Sequence, residues 1–206
     1  MKIYGYPKSR SLRALWAAEE AGAQYEFITV DLGQGESRQP DYLKINPGGK
    51  VPALEDDGMI LTESAAICTY LGERFPASGL VPEIGSADRA AYFQWCFFVI
   101  GELEQPLWTL TKHSFALPAA QRVPEIKATA GWEFVRAAAV LAAGLGDREH
   151  ILGSKFSAAD ILIAHTLNWS KSAKVSFEHP NLEHYLSRMM SRPAAARARE
   201  REAVAN

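Results

Sequence analysis

The chain has 206 residues, 48% of them hydrophobic and 22% charged, with a formal net charge of −2. That length and apolar content allow one large domain or two small ones, each with its own core. The near-neutral balance excludes a disordered chain and a polyanion binder, so nucleic acid is not an expected partner.

Lys2–Gly5 reads as a short strand. Ser11–Ala21 has a helical stripe, closed by Gly22 in the usual C-terminal position. Tyr25–Val30 alternates aromatic and β-branched residues and predicts a second strand. Strand, helix, strand in that order predicts a parallel βαβ unit. Gly33–Gly49 is polar, with a short helical turn near Asp41–Lys44. Val51–Glu55 and Met59–Leu61 flank Asp56-Asp57-Gly58, a hairpin signal. Glu63–Arg74 then predicts a helix.

Phe75–Gly85 carries Pro76, Gly79, Pro82 and Gly85 and reads as a linker. No strand is expected beyond it. Tyr92, Trp95, Val99, Leu103 and Leu107 predict one long helix over Ala87–His113, with Pro106 as a kink. Another helix runs from Pro124 to about Leu145. Ser157-Ala158-Ala159-Asp160 reads as a capping box with aspartate in place of glutamate, before the run Ile161-Leu162-Ile163. Pro180–Arg192 and Pro193 onward predict two last helices. The division is 1–76, a linker at 77–86, and an all-α domain over 87–206.

Cys68 and Cys96 stand alone in apolar surroundings, and the five histidines are scattered. Nothing has metal-ligand or disulfide spacing, so no metal is expected and a reducing, cytoplasmic setting is. No apolar run approaches the ~18 residues of a membrane span, and the N-terminus lacks a leader's apolar region.

Three stretches carry chemistry. Val51-Pro52 follows Asn46-Pro47-Gly48-Gly49-Lys50. A cis bond there leaves the Val51 backbone open to an extended peptide; a trans edge-strand proline is the plainer reading. Thr62-Glu63-Ser64 precedes a helix whose first N–H groups suit a carboxylate, while Glu63 suits an ammonium group. An ordinary Ser64 cap explains the same residues. Tyr6-Pro7-Lys8-Ser9-Arg10-Ser11-Leu12-Arg13 crowds hydroxyls and cations at a helix mouth. Ser9 or Ser11 as a cap, with Lys8, Arg10 and Arg13 as a solvated face, is one account. A thiolate site is the other.

The magnitudes permit the second. A free thiol has a pKa of about 8.5, and lowering it by roughly two units requires about 2.7 kcal/mol of preference for the anion. A hydrogen bond to a charged group supplies about 1.5–3 kcal/mol. A helix terminus adds about 0.3–1 kcal/mol. Among the aromatics, Trp95, Phe97, Phe98, Trp108 and Phe115 read mainly as helical core, with Trp108 placed to line an apolar pocket. The alternating Arg197, Arg199, Arg201 and Glu200, Glu202 read as a solvated helix end.

In order along the chain stand Tyr6-Pro7, Ser9-x-x-x-Arg13, Asn46–Leu54, Glu63–Ile67 and Phe156–Asp160. The set resembles the cytosolic glutathione S-transferases of bacterial type over nearly the whole length. The resemblance implies an α/β thioredoxin-like N-terminal domain, an all-α C-terminal domain, and a homodimer. It implies glutathione as co-substrate. Val51 and cis-Pro52 would pair with its cysteinyl backbone, Glu63 and Ser64 would hold its γ-glutamyl end, and Lys50 its glycyl carboxylate. The thiol then points at the mouth of the first helix.

Ser9 takes the position of a serine-type donor, with Arg10 as a cationic helper. Ser11, Tyr4 and Tyr6 are the other candidates for activation. Cysteine-type chemistry is excluded, because Arg10 stands where that class has cysteine. Tyr6 and Trp108 are the expected electrophile contacts. The expected reaction is conjugation of glutathione to small hydrophobic electrophiles. Peroxidase or dehalogenase chemistry on the same site, and a non-catalytic scaffold, are the alternatives; an isomerase-like reading fits the Lys8-Ser9-Arg10 stretch less well.

Overall fold

The computed structural model describes residues 1–204. Two compact units divide it: Met1–Val81 with the C-terminal segment from Met190, and Pro82–Met189. The sequence reading assigned everything from 87 onward to the helical domain. The last helix instead joins the first unit, because its small residues pack on that unit's first helix.

In the first unit, β1 (Lys2–Gly5), β2 (Glu26–Thr29), β3 (Ala53–Asp56) and β4 (Met59–Thr62) form one sheet in the order β2-β1-β3-β4. β1 and β2 are parallel, joined by α1 (Ser11–Ala21), as the βαβ reading required. β3 runs antiparallel to both β1 and β4. Asp57 and Gly58 turn the β3–β4 hairpin with φ of 46° and 81°, the paired positive values of a tight two-residue turn. α2 (Pro40–Ile45) lies between β2 and β3, and α3 (Ser64–Arg74) follows β4.

α1 packs on α3 and on α9 (Pro193–Val204). Ile3, Leu15, Trp16, Leu54, Ile67 and Leu71 are fully buried between sheet and helices. Gly22 ends α1 at φ 64°, and its N–H reaches back to Ala18 and Glu19 carbonyls. Gly5 is needed for a different reason: a Cβ there would lie 2.6 Å from the Ser11 Cβ. The end of β1 and the start of α1 therefore meet without a side chain between them.

The second unit contains α4 (Ala87–Phe98), α5 (Glu104–Thr111), α6 (Ile126–Leu145), α7 (Ala158–Ser172) and α8 (Pro180–Met190). Its described residues hold no strand beyond a single His150–Gly153 bridge. The predicted long helix is interrupted by π-turns at Val99–Leu103 and Lys112–Ala116. Pro106 has no N–H to continue the ordinary ladder, and the turn just before it widens. Tyr92, Val99, Leu103 and Leu107 are buried as the stripe predicts.

Two aromatics depart from the core expectation, since Phe97 is 72% and Phe115 70% exposed. Phe97 stacks on Phe93 on the outer face of α4, in line with Arg89, whose guanidinium lies over the Phe93 ring. Phe115 falls in the second π-turn, away from the buried stripe.

The capping box is present. Asp160 Oδ2 accepts from the Ser157 N–H at 2.8 Å and from its hydroxyl at 2.9 Å. Asp160 Oδ1 accepts from the Ile151 N–H and the Tyr185 hydroxyl, both at 2.8 Å.

Candidate functional site at one end of the sheet

Antiparallel pairing on both sides of β3 decides where the three candidate stretches go. Tyr4 pairs with Ala53, and Ala53 pairs with Thr62. The end of β1, the start of β3 and the end of β4 therefore share one end of the sheet. The loop Tyr6–Arg10, the segment Lys50–Pro52 and Glu63–Ser64 all leave from there.

The loop before α1 is closed by its own hydroxyls. The Tyr6 N–H donates to Ser11 Oγ at 3.1 Å. Ser9 Oγ lies 2.6 Å from the Tyr6 carbonyl oxygen and 2.8 Å from Ser11 Oγ, and accepts the Ser11 N–H at 3.1 Å. Ser11 is fully buried and acts inside the loop, whereas Ser9 and Arg10 are half-buried at the helix mouth. The first-helix cap position is Arg10, with no capping side chain, so neither serine fills it.

Arg13 does not belong to a solvated face. It is fully buried, and its Nη1 donates to Ser64 Oγ at 3.2 Å. The cause is helical spacing: the turn that leaves Arg10 at the mouth points Arg13 toward α3.

Lys50 is exposed at its side chain, but its carbonyl is fixed. The Tyr42 hydroxyl and the Asn46 Nδ2 each donate to it at 2.7 Å. Asn46 Oδ1 also accepts the Gly48 N–H at 2.9 Å, which folds the Asn-Pro-Gly-Gly turn. Tyr42 and Asn46 were missed in the sequence; Asn46 at the head of the turn was the available signal, and Tyr42 offered none. Burial, then neighbouring Tyr4, pushes the Tyr42 hydroxyl up to about 12.

The Val51–Pro52 peptide is cis. Pro52 is buried and leads into a central strand, not an edge strand. Val51 stands just outside the ladder, packed on the cluster of Tyr4, Val30, Tyr42 and Ala53.

Glu63 occupies the cap position of α3 at φ 66° and ψ 113°, with its side chain exposed. Ser64 is the first residue inside the helix and is not its cap. A non-glycine residue at such angles is held there by its surroundings, and such residues gather at functional sites.

Tyr4 and Tyr6 occupy different settings. The Tyr4 hydroxyl donates to Glu55 Oε2 at 2.7 Å. Burial first, then that carboxylate, pushes it up to about 12. Tyr6 is half-buried in the first unit, and Trp108 is half-buried on α5 of the second.

A four-stranded sheet of this topology, with a cis-proline before a central strand and a helix mouth beside it, defines a thioredoxin-like fold joined to a helical unit. The comparisons agree. The profile for the glutathione S-transferase N-terminal domain matches residues 1–73, and that for the C-terminal domain matches residues 112–193. The chain belongs to the glutathione S-transferase family, in its cytosolic bacterial type.

It is 32% identical to the disulfide-bond oxidoreductase YfcG of Escherichia coli K12, over 95% of this chain and 93% of that one. It is 29% identical to the glutathione S-transferase GstA of Escherichia coli O157:H7, over 94% of each. The structure of a sphingomonad glutathione S-transferase complexed with glutathione superposes with a TM-score of 0.87, at 34% identity, covering 99% of this chain and 100% of that one. As a member of the family the chain is a glutathione transferase, with glutathione as co-substrate.

Proposed function

We propose that the chain activates the glutathione thiol at the mouth of α1, through the Ser9 hydroxyl, and passes it to small hydrophobic electrophiles. The observation that carries this reading is the meeting of three element ends at one end of the sheet, set by the antiparallel pairing of β3. The Val51 backbone receives the cysteinyl residue. Ser64 and the first N–H groups of α3 receive the γ-glutamyl carboxylate, with Glu63 facing the ammonium group. Lys50 receives the glycyl carboxylate.

Ser9 already has acceptors for its proton inside the loop. It turns that proton outward when a thiolate arrives, since a bond to an anion outweighs one to a neutral oxygen. Arg10 adds positive charge at the same mouth. Ser11 is too deeply buried to compete, and Tyr4 is committed to Glu55. The bound thiolate then attacks the electrophilic carbon. Trp108 and Tyr6 are the proposed electrophile contacts.

Serine-type activation is tested with Ser9→Ala. The thiolate's ultraviolet absorbance is followed across pH with glutathione bound. A raised thiol pKa and a slower conjugation rate, with binding largely kept, are expected. An unchanged pKa and rate would remove Ser9 from the role.

The relative named as a disulfide-bond oxidoreductase supports a second reading, in which the same thiolate attacks a disulfide sulfur. Product analysis separates this from conjugation, and from peroxidase or dehalogenase chemistry. A homodimer fits the exposed Phe97 of α4, stacked on the half-buried Phe93. A cytoplasmic setting fits the two buried cysteines, which are not joined in a disulfide.

A further inference from the structure

The loop that carries Ser9 contains a residue in an unusual backbone state. Lys8 has φ 58°, a left-handed conformation that costs a side-chain-bearing residue free energy. Its side chain is exposed, so packing of that side chain does not hold it there. Its N–H donates to Glu202 Oε2, at 3.4 Å. The bond is long, and bonds at catalytic sites commonly tighten only with substrate in place.

Glu202 itself is out of place by ordinary rules. It was expected on a solvated helix end, yet it is 7% exposed, and its Oε1 is buried with no hydrogen-bond partner. Burying a carboxylate so poorly satisfied costs folding free energy. Burial pushes its carboxyl up to about 7, against the pull of the Lys8 amide.

The helix that delivers Glu202 is firmly seated. Arg192 reaches Glu20 at 2.6 and 3.0 Å, and Arg197 reaches Glu19 at 2.8 Å. Ala194, Ala195 and Ala198 are buried. α9 thus runs antiparallel to α1, from beside its end to beside its beginning. Glu202 arrives at the one place in the first unit where thiol activation is proposed.

We propose that Glu202 is a positioning residue for thiol activation: from α9 it holds Lys8 in its left-handed conformation and so sets the direction of the adjoining Ser9 hydroxyl. The inference rests on the reading of Ser9 as the donor. Glu202 touches neither glutathione nor electrophile. It acts through the loop.

The test uses the full chain with Glu202→Met, Glu202→Gln and Ser9→Ala, and the probes are glutathione and a chloronitrobenzene. Met removes the acceptor and keeps the volume; Gln keeps an acceptor. In Glu202→Met, exchange of the Lys8 amide with solvent should speed up about tenfold, within the weight of one hydrogen bond. The bound thiol pKa should rise, and kcat should fall about tenfold while KM for glutathione stays within about twofold. Glu202→Gln should recover most of both effects.

A folded Glu202→Met protein with wild-type Lys8 exchange and wild-type thiol pKa would overturn the proposal. So would faster exchange without a pKa change, when Ser9→Ala does raise the pKa. If Ser9→Ala leaves the pKa unchanged, the Ser9 reading fails on its own, and Lys8 exchange alone decides whether Glu202 holds the loop. Glu202→Ala replaces the Met variant if that one does not fold.

Discussion

Arg13 Nη1 donates to Ser64 Oγ at 3.2 Å, across 51 positions of chain and wholly inside the protein. The contact ties the first turn of α1 to the first turn of α3. Because Arg13 supplies the donor, the Ser64 hydroxyl keeps its own proton for another acceptor, which in the reading proposed above is the γ-glutamyl carboxylate. The guanidinium also places positive charge beneath that helix end, where an anion is already favoured.

Replacing Arg13 should therefore affect stability and binding together. Arg13→Met should lower stability by about 1.5–3 kcal/mol, the range for a hydrogen bond to a charged group. It should also weaken glutathione binding, read by calorimetric titration beside urea unfolding. Arg13→Lys should restore little, since an ammonium group lacks the fork that reaches Ser64 from this position. Unchanged glutathione affinity in a folded Arg13→Met protein would confine the residue to folding.

Tyr4→Phe separates the serine and tyrosine readings. The hydroxyl it removes is bonded to Glu55, which that bond and Lys2 hold below the usual carboxylate range. The variant should raise the Glu55 pKa, measured by NMR titration, and leave the bound thiol pKa and conjugation rate as they were. A rise in thiol pKa would return Tyr4 to the active role.

Glu202 gives a pH signature in stability. Its folded pKa, about 7, is raised by burial above the value of about 4.3 usual for an exposed glutamate. A carboxyl raised on folding contributes stability that is complete below the unfolded pKa and is lost as pH rises through the folded one. The stability of Glu202→Gln relative to the parent should therefore climb between about pH 4.3 and 7 and then level off. Denaturant midpoints across that window test it, and a flat difference would contradict the burial of the charge.

Asp160 accepts from four donors at the start of α7 while fully buried. Asp160→Ala should lower the stability of the helical unit by about 3 kcal/mol or more, because the donors of Ile151, Ser157 and Tyr185 lose their acceptor at once. Urea unfolding followed by tryptophan fluorescence reads this directly. A loss below about 1 kcal/mol, the size of one exposed cap, would mean that water replaces the carboxylate.

By itself the sequence determined the local elements. Periodicity, Asp57-Gly58 and the Ser157–Asp160 box are short-range signals, and each element they predict is present within a residue or two, apart from the π-turns around α5. The Asn-Pro-Gly-Gly stretch likewise announced a turn before Val51-Pro52. What only the tertiary structure decided was which face each helix turns inward and what lies across from it. Arg13 and Glu202 look like surface charges in the sequence, since a helical stripe does not say that α3 will lie against Arg13 or that α9 will carry Glu202 onto the loop before α1. Tyr42 reached the Lys50 carbonyl only because α2 packs beside β3's approach, and the last helix joined the first unit because small alanines let it sit close on α1. Hydrogen bonds within a few residues can be read along the chain. Those spanning 51 or 194 positions, as at Ser64 and Lys8, depend on packing that no local window contains.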